Sequence, residues 1–199
     1  MAGLEFRLIS TKVGLSLELP KPLDRAVKLE EDVAAVFSKV AAEAGNRKIE
    51  RLLIVSHAYV EGGKFTIFLG SVGGKEGIRI EDIDVFKPLA GKFAHRLRGI
   101  EIQACNVADN NGGDPKATPS AGSAAAFSQA IANITQTGVL ASTLAQPTDC
   151  LKTTGHYTDR GPRGLPETHY VTTVTDCKDV WTGNLWMFTP GGRGATAHR

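Results

Sequence analysis

Apolar and polar positions alternate at the start of the chain: Leu4, Phe6 and Leu8, then Leu15, Leu17 and Leu19 beyond Gly14. Period-two alternation predicts two half-buried strands joined as a hairpin, with Pro20 and Pro22 ending the pattern. The period then lengthens. Leu29, Val33, Val36, Phe37, Val40 and Ala44 recur at helical spacing, and Gly45 stands where a helix C-cap belongs. Residues 49–55 end in four consecutive apolar residues, as in a strand covered on both faces, and stop at Ser56-His57. Past Gly62-Gly63, residues 65–69 predict a short strand closed by Gly70, and Gly73, Gly74 and Gly77 predict a turn-containing loop. Phe86, Leu89, Phe93 and Leu97 are again helically spaced, with Asp84 as N-cap and Pro88 in the first turn.

Residues 100–104 predict a short buried strand that runs into Cys105. An exposed loop over 109–122, rich in Gly, Pro, Ser and Thr, precedes a third helix marked by Ala124, Phe127, Ala130, Ile131 and Ile134. Residues 138–142 form another strand. From about residue 150 the pattern changes: loop at 161–166, strands at 170–174 and 181–188, and a flexible tail at 191–194. Strand–helix alternation of this kind implies an α/β domain with a largely parallel sheet and helices on both faces.

Composition narrows the class. A chain of 199 residues suits one core, and 42% apolar with 22% charged residues is globular composition. The net charge of +2, with no run of basic residues, gives no reason to expect nucleic acid. No apolar stretch is long enough to span a bilayer, and the N-terminus lacks the basic-then-apolar pattern of a signal peptide. The expectation is a protein that is cytoplasmic as synthesised, with no membrane partner; signal-less export stays open. Cys105, Cys150 and Cys177 are too sparse for a disulfide framework. The absence of a Cys-x-x-Cys pair, with His95, His156, His169 and His198 scattered, predicts no metal site and no cofactor.

Two strands in this reading end in reactive groups, an imidazole at His57 and a thiol at Cys105. In open α/β sheets ligands bind in the crevice beyond the strands' carboxyl ends. The thiolate is the nucleophile, and a nearby imidazole can take the thiol proton and later protonate the leaving amine. Hydrolysis also needs donors for the oxyanion, and the backbone N–H groups of Cys105 and Ala58 are the candidates. Cys150 and Cys177 have no such partner. Asp82 and Asp84 suit a helix start, and Trp181 and Trp186 suit core packing.

Gln103-Ala104-Cys105 resembles the start of the caspase nucleophile motif, and His57 lies 48 residues upstream, near the separation of that family. The wider order is similar too: apolar strand, Ser-His, glycine-rich turn, short strand, helix, apolar strand, Cys-Asn, loop, helix, then 138–142. Over residues 28–145 this resembles the caspase–haemoglobinase fold (clan CD), shared by caspases, gingipains, separases and self-processing domains of bacterial toxins. The bacterial branch is the most similar. The resemblance implies a single caspase-like domain with residues 150–199 as an extension, folded as a three-layer sandwich with a mainly parallel sheet flanked by helices. It implies a cysteine peptidase acting on a protein substrate or its own chain, with His57 as general acid/base, Cys105 as nucleophile, and the Ala58 and Cys105 amides as oxyanion hole. The chain departs from the family pattern at Ala58, where relatives have Gly, and at Asn106-Val107, so a caspase-type preference for aspartate does not transfer. The alternatives are an inactive scaffold of the same fold and an amidase acting on a non-protein substrate.

Overall fold

The computed structural model describes residues 3–13, 16–18, 23–61, 64–144, 151–160, 166–174 and 184–198. In chain order, β1 (Leu4–Ser10), β2 (Ser16–Glu18) and β3 (Asp24–Val27) precede α1 (Val33–Ala44). Next come β4 (Ile49–Val55), β5 (Ala58–Glu61), β6 (Lys64–Val72), β7 (Lys75–Arg79) and a 3-10 helix over Ile80–Leu89. β8 (Ile100–Gln103) leads through a loop to α2 (Ala124–Thr135) and β9 (Val139–Ser142). β10 (Leu151–Arg160), β11 (Pro166–Val174), β12 (Leu185–Phe188) and β13 (Thr196–His198) follow.

The architecture is α/β, built on a seven-stranded sheet in the order β13-β12-β9-β8-β4-β1-β3. Strands β3, β1, β4, β8 and β9 run parallel, and β12 and β13 add an antiparallel pair at one edge. Residues 185–198 therefore complete the main sheet instead of hanging from it. The tail expected to be flexible is held by the Ala195 N–H, which donates to the Pro115 carbonyl at 2.8 Å, and by β13.

Successive strands β1, β4, β8 and β9 each add on the same side of the one before. Right-handed crossovers that all advance one way put their connecting elements on one face. The core follows this rule: Phe6, Leu52, Ile54 and Ile102 share one cluster with Phe37 of α1, Phe86 of the 3-10 helix and Phe127 of α2. The Phe37 and Phe86 ring centroids are 4.5 Å apart. Helices on both faces, as expected from strand–helix alternation, are thus not found among the described residues. The alternate strand positions project to the opposite face and include buried Arg7, Glu101 and Gln103 beside Ile9, Leu53 and Val55.

Other expectations change as well. β1 and β2 are not a hairpin: β1 lies between β4 and β3, and β2 pairs in parallel with β11 in a separate β10-β11-β2 sheet. Neither β3 nor β10 was foreseen. The glycine-rich loop is a hairpin turn, with Gly73 and Gly74 both at positive φ, and β7 runs antiparallel to β6 beyond it. The helix expected from Phe86 to Leu97 is replaced by the 3-10 helix, whose start is closed by Asp82 accepting from the Arg79 N–H at 3.0 Å. Asp84 is no cap; it lies inside that helix and pairs with Lys87. Gly91 at φ 69° ends the helical run, and Phe93 is then extended alongside Ile49, so the periodicity of Phe93 and Leu97 is coincidental. Of the expected loop at 161–166, Pro166 opens β11 and residues 161–165 lie outside the described residues, as do Trp181, Cys150 and Cys177.

Candidate active site

β4 and β8 are neighbours, and the site follows from their register. Leu52 pairs with Ile100, Leu53 with Glu101, Ile54 with Ile102 and Val55 with Gln103, so each residue faces the one 48 positions on. His57 and Cys105 differ by the same 48. They stand two residues past the last pair on adjacent parallel strands, whose spacing is about 4.8 Å. Both lie beyond the paired strands, His57 in the link from β4 to β5 and Cys105 in the turn that follows β8. His57 is exposed and Cys105 half-buried with a free thiol. No hydrogen bond joins the two side chains, and no described carboxylate orients the ring, so this is a pair without a third member. In unliganded sites such contacts are commonly long and tighten when substrate binds.

The backbone around the pair is held firmly. The His57 carbonyl accepts from the Phe68 N–H and the Ser56 hydroxyl, both at 2.9 Å. The ladder continues one step past its last pair, where the Ser56 N–H donates to the Gln103 carbonyl at 3.1 Å. It stops there. The next donor in sequence, the Cys105 N–H, meets no acceptor among the described residues. On its other side the Asn106 N–H donates to the Leu144 carbonyl at 3.3 Å and the Ala108 N–H to Ser142 at 2.9 Å, which anchors the turn to the end of β9. Asn106 takes φ 57°, a left-handed conformation that Asn tolerates better than most residues.

The second expected oxyanion donor, the Ala58 N–H, opens β5, which pairs antiparallel with β6 through Ala58 and Ile67. The Phe68-to-His57 hydrogen bond fixes this as a non-hydrogen-bonded pair, so the Ala58 N–H and C=O both point away from β6. Ala58 is not among the described residues at positive φ, so alanine carries no left-handed strain at this position.

No family model, curated protein or solved structure matches this chain.

Among the described residues no cluster of His, Cys, Asp and Glu could hold a metal ion, and no helix is long and apolar enough to cross a membrane. A cleft of about 520 Å³ lies away from the pair, toward the amino-terminal ends of β4 and β8, lined by Glu50, Arg51, His95, Arg98 and Glu101 among others. Its charges are already matched to one another. Glu101 accepts from Arg51 at 2.8 Å and from Arg98 at 2.7 and 3.0 Å, and Glu50 meets His95 at 2.7 Å. The sequence reading named Asn106 but not its left-handed turn, and it missed exposed Tyr59 and Val60. The two large apolar residues that follow His57-Ala58 were the available signal.

Proposed function

We propose that the chain is a cysteine endopeptidase with a caspase-like arrangement, cleaving a protein substrate or its own chain. The observation that carries this reading is the shared 48-residue offset, which brings His57 and Cys105 to the ends of adjacent parallel strands. In the proposed reaction the Cys105 sulfur bonds to the scissile carbonyl carbon while the thiol proton passes to the His57 ring. The carbonyl electrons move onto oxygen, and the Cys105 and Ala58 N–H groups donate to that oxyanion. Collapse breaks the C–N bond, the imidazolium protonates the leaving amine, and a thioester remains on Cys105. Water, losing a proton to His57, attacks the thioester and releases the carboxylic acid and the thiol.

Incubating the protein with a reduced, carboxymethylated test protein and mapping the fragments by mass spectrometry tests this. Wild type cleaves it, whereas Cys105→Ala and His57→Ala do not, though both fold. Retained cleavage by Cys105→Ala would sink the assignment. The second reading, a non-catalytic binding module, draws on the missing hydrogen bond between thiol and imidazole. It predicts no cleavage by wild type of that protein or of its own chain.

A further inference from the structure

β5 is an edge strand in the order β5-β6-β7, and among the described residues nothing pairs with its outer side. The register that turns the Ala58 N–H and C=O outward does the same two residues on. Tyr59 and Thr66 exchange the ladder hydrogen bonds, and Val60 opposite Phe65 faces its backbone groups away from β6. Ala58 and Val60 thus carry their N–H and C=O groups on the outer side, spaced as an extended chain requires; Val60 stands in the open, and Ala58, 6% exposed, lies at the inner end of the edge. The strand's own support is firm: Tyr59 stacks on Phe68 with ring centroids 4.4 Å apart, and the Lys12 ammonium lies 4.0 Å from the Phe68 centroid. Val60 is 61% exposed, an apolar side chain on open surface one step from the candidate site.

We infer that the free edge of β5 is a docking edge for the peptide substrate, which binds in extended form as an added strand. The inference rests on the peptidase reading, because the first rung is also the proposed oxyanion donor. A scissile carbonyl on the Ala58 N–H fixes where the neighbouring residues fall. If the peptide runs antiparallel to β5, the residue carrying the scissile carbonyl exchanges both hydrogen bonds with Ala58, and the residue two before it does so with Val60. If it runs parallel, the N–H groups that reach the Ala58 and Val60 carbonyls belong to the second and fourth residues after the cleaved bond. The occupant is therefore polypeptide in extended conformation, recognised through its backbone.

The test uses internally quenched decapeptides, one of which is selected because wild type cleaves it. That peptide is resynthesised with single backbone N-methyl groups at each position in turn, so the protein itself is unchanged. Methylation at the positions that face the edge lowers kcat/KM about tenfold each, the worth of one lost hydrogen bond, and methylation at intervening positions does not. Val60→Pro, which removes an outward N–H that β6 does not use, lowers the advantage of the full peptide over one truncated before the Val60 rung by a similar factor; Val60→Ala keeps it. Losses without the alternation, or equal cleavage of full and truncated peptides, overturn the docking edge and leave the dyad standing. Cleavage of no decapeptide, together with ordinary Cys105 reactivity, overturns both.

Discussion

The two ends of β4 and β8 carry opposite kinds of polar chemistry. Toward the amino-terminal end, Glu101 is buried and held between Arg51 and Arg98, so its charge is matched on both carboxylate oxygens. At the carboxyl end, His57 and Cys105 have no side-chain partner, and the Cys105 and Ala58 N–H groups no hydrogen-bond acceptor, among the described residues. Buried charge that is fully paired belongs to structure; exposed groups with unspent hydrogen-bonding capacity are available to a substrate. The cleft is at the first end and the candidate chemistry at the second, so the two do not coincide.

The difference can be broken by exchange of single residues. At the carboxyl end the largest effect is on activity. Cys105→Ala abolishes peptide cleavage while stability changes by about 1 kcal/mol or less, since a half-buried thiol without a bonded partner is removed. Chemical denaturation alongside the cleavage assay separates the two quantities. A large stability loss would return Cys105 to a packing role.

At the other end the effect falls on stability. Glu101→Ala leaves Arg51 with an unpaired, largely buried guanidinium and destabilises by about 3 kcal/mol, the lower part of the range for broken buried pairs, because Arg98 is half-exposed and can rehydrate. Alkylation of Cys105 per folded molecule stays at the wild-type rate. If it fell in step with stability, the two ends would not be separable.

Asn106 sharpens the carboxyl end. A β-branched residue at φ 57° is strained, so Asn106→Val destabilises by roughly 1–3 kcal/mol and tilts the Cys105 amide, lowering cleavage further than the folded fraction explains. Asn106→Gly keeps both. Equal behaviour of the two variants would show that the turn does not position the amide.

How much of this was legible in the sequence depends on whether the signal was local. α1, α2, β4, β8 and β9 were readable, because each has a period or an apolar run of its own, and His57 and Cys105 followed as the residues where two such runs end. β3 was not readable: Asp24-Arg25-Ala26-Val27 has no alternation, and its place is set by β1, including the buried Arg7–Asp24 pair at 3.4 Å. β2 pairs with β11, more than 150 residues away, a contact without local trace. The helical spacing of Phe93 and Leu97 misled, because the Ile49 N–H donates to Lys92 and the Ala94 N–H to Ile49, drawing the chain out beside β4. At the site, residue identities were legible but the direction of the Ala58 N–H was not, since it depends on which pairs of the β5–β6 ladder exchange hydrogen bonds.

The smallest effect calibrates the others. The hydrogen bond from Lys64 holds the Glu81 carboxyl below its ordinary range, so this pair stabilises above about pH 4.5 and loses its contribution as pH falls through the lowered value. Both side chains are exposed, and Glu81→Gln changes stability at neutral pH by only about 0.2–1 kcal/mol. A loss as large as that of Glu101→Ala would erase the distinction between exposed and buried pairs.

The rate of thiol alkylation tests the dyad most directly. Native protein is treated with limiting iodoacetamide near pH 6.5, and labelling at Cys105, Cys150 and Cys177 is resolved by peptide mapping. A catalytic pair predicts that Cys105 is labelled first and that His57→Ala slows this labelling, because the imidazole favours the thiolate. Equal, slow labelling at all three cysteines, unchanged by His57→Ala, would contradict the dyad and leave a binding module.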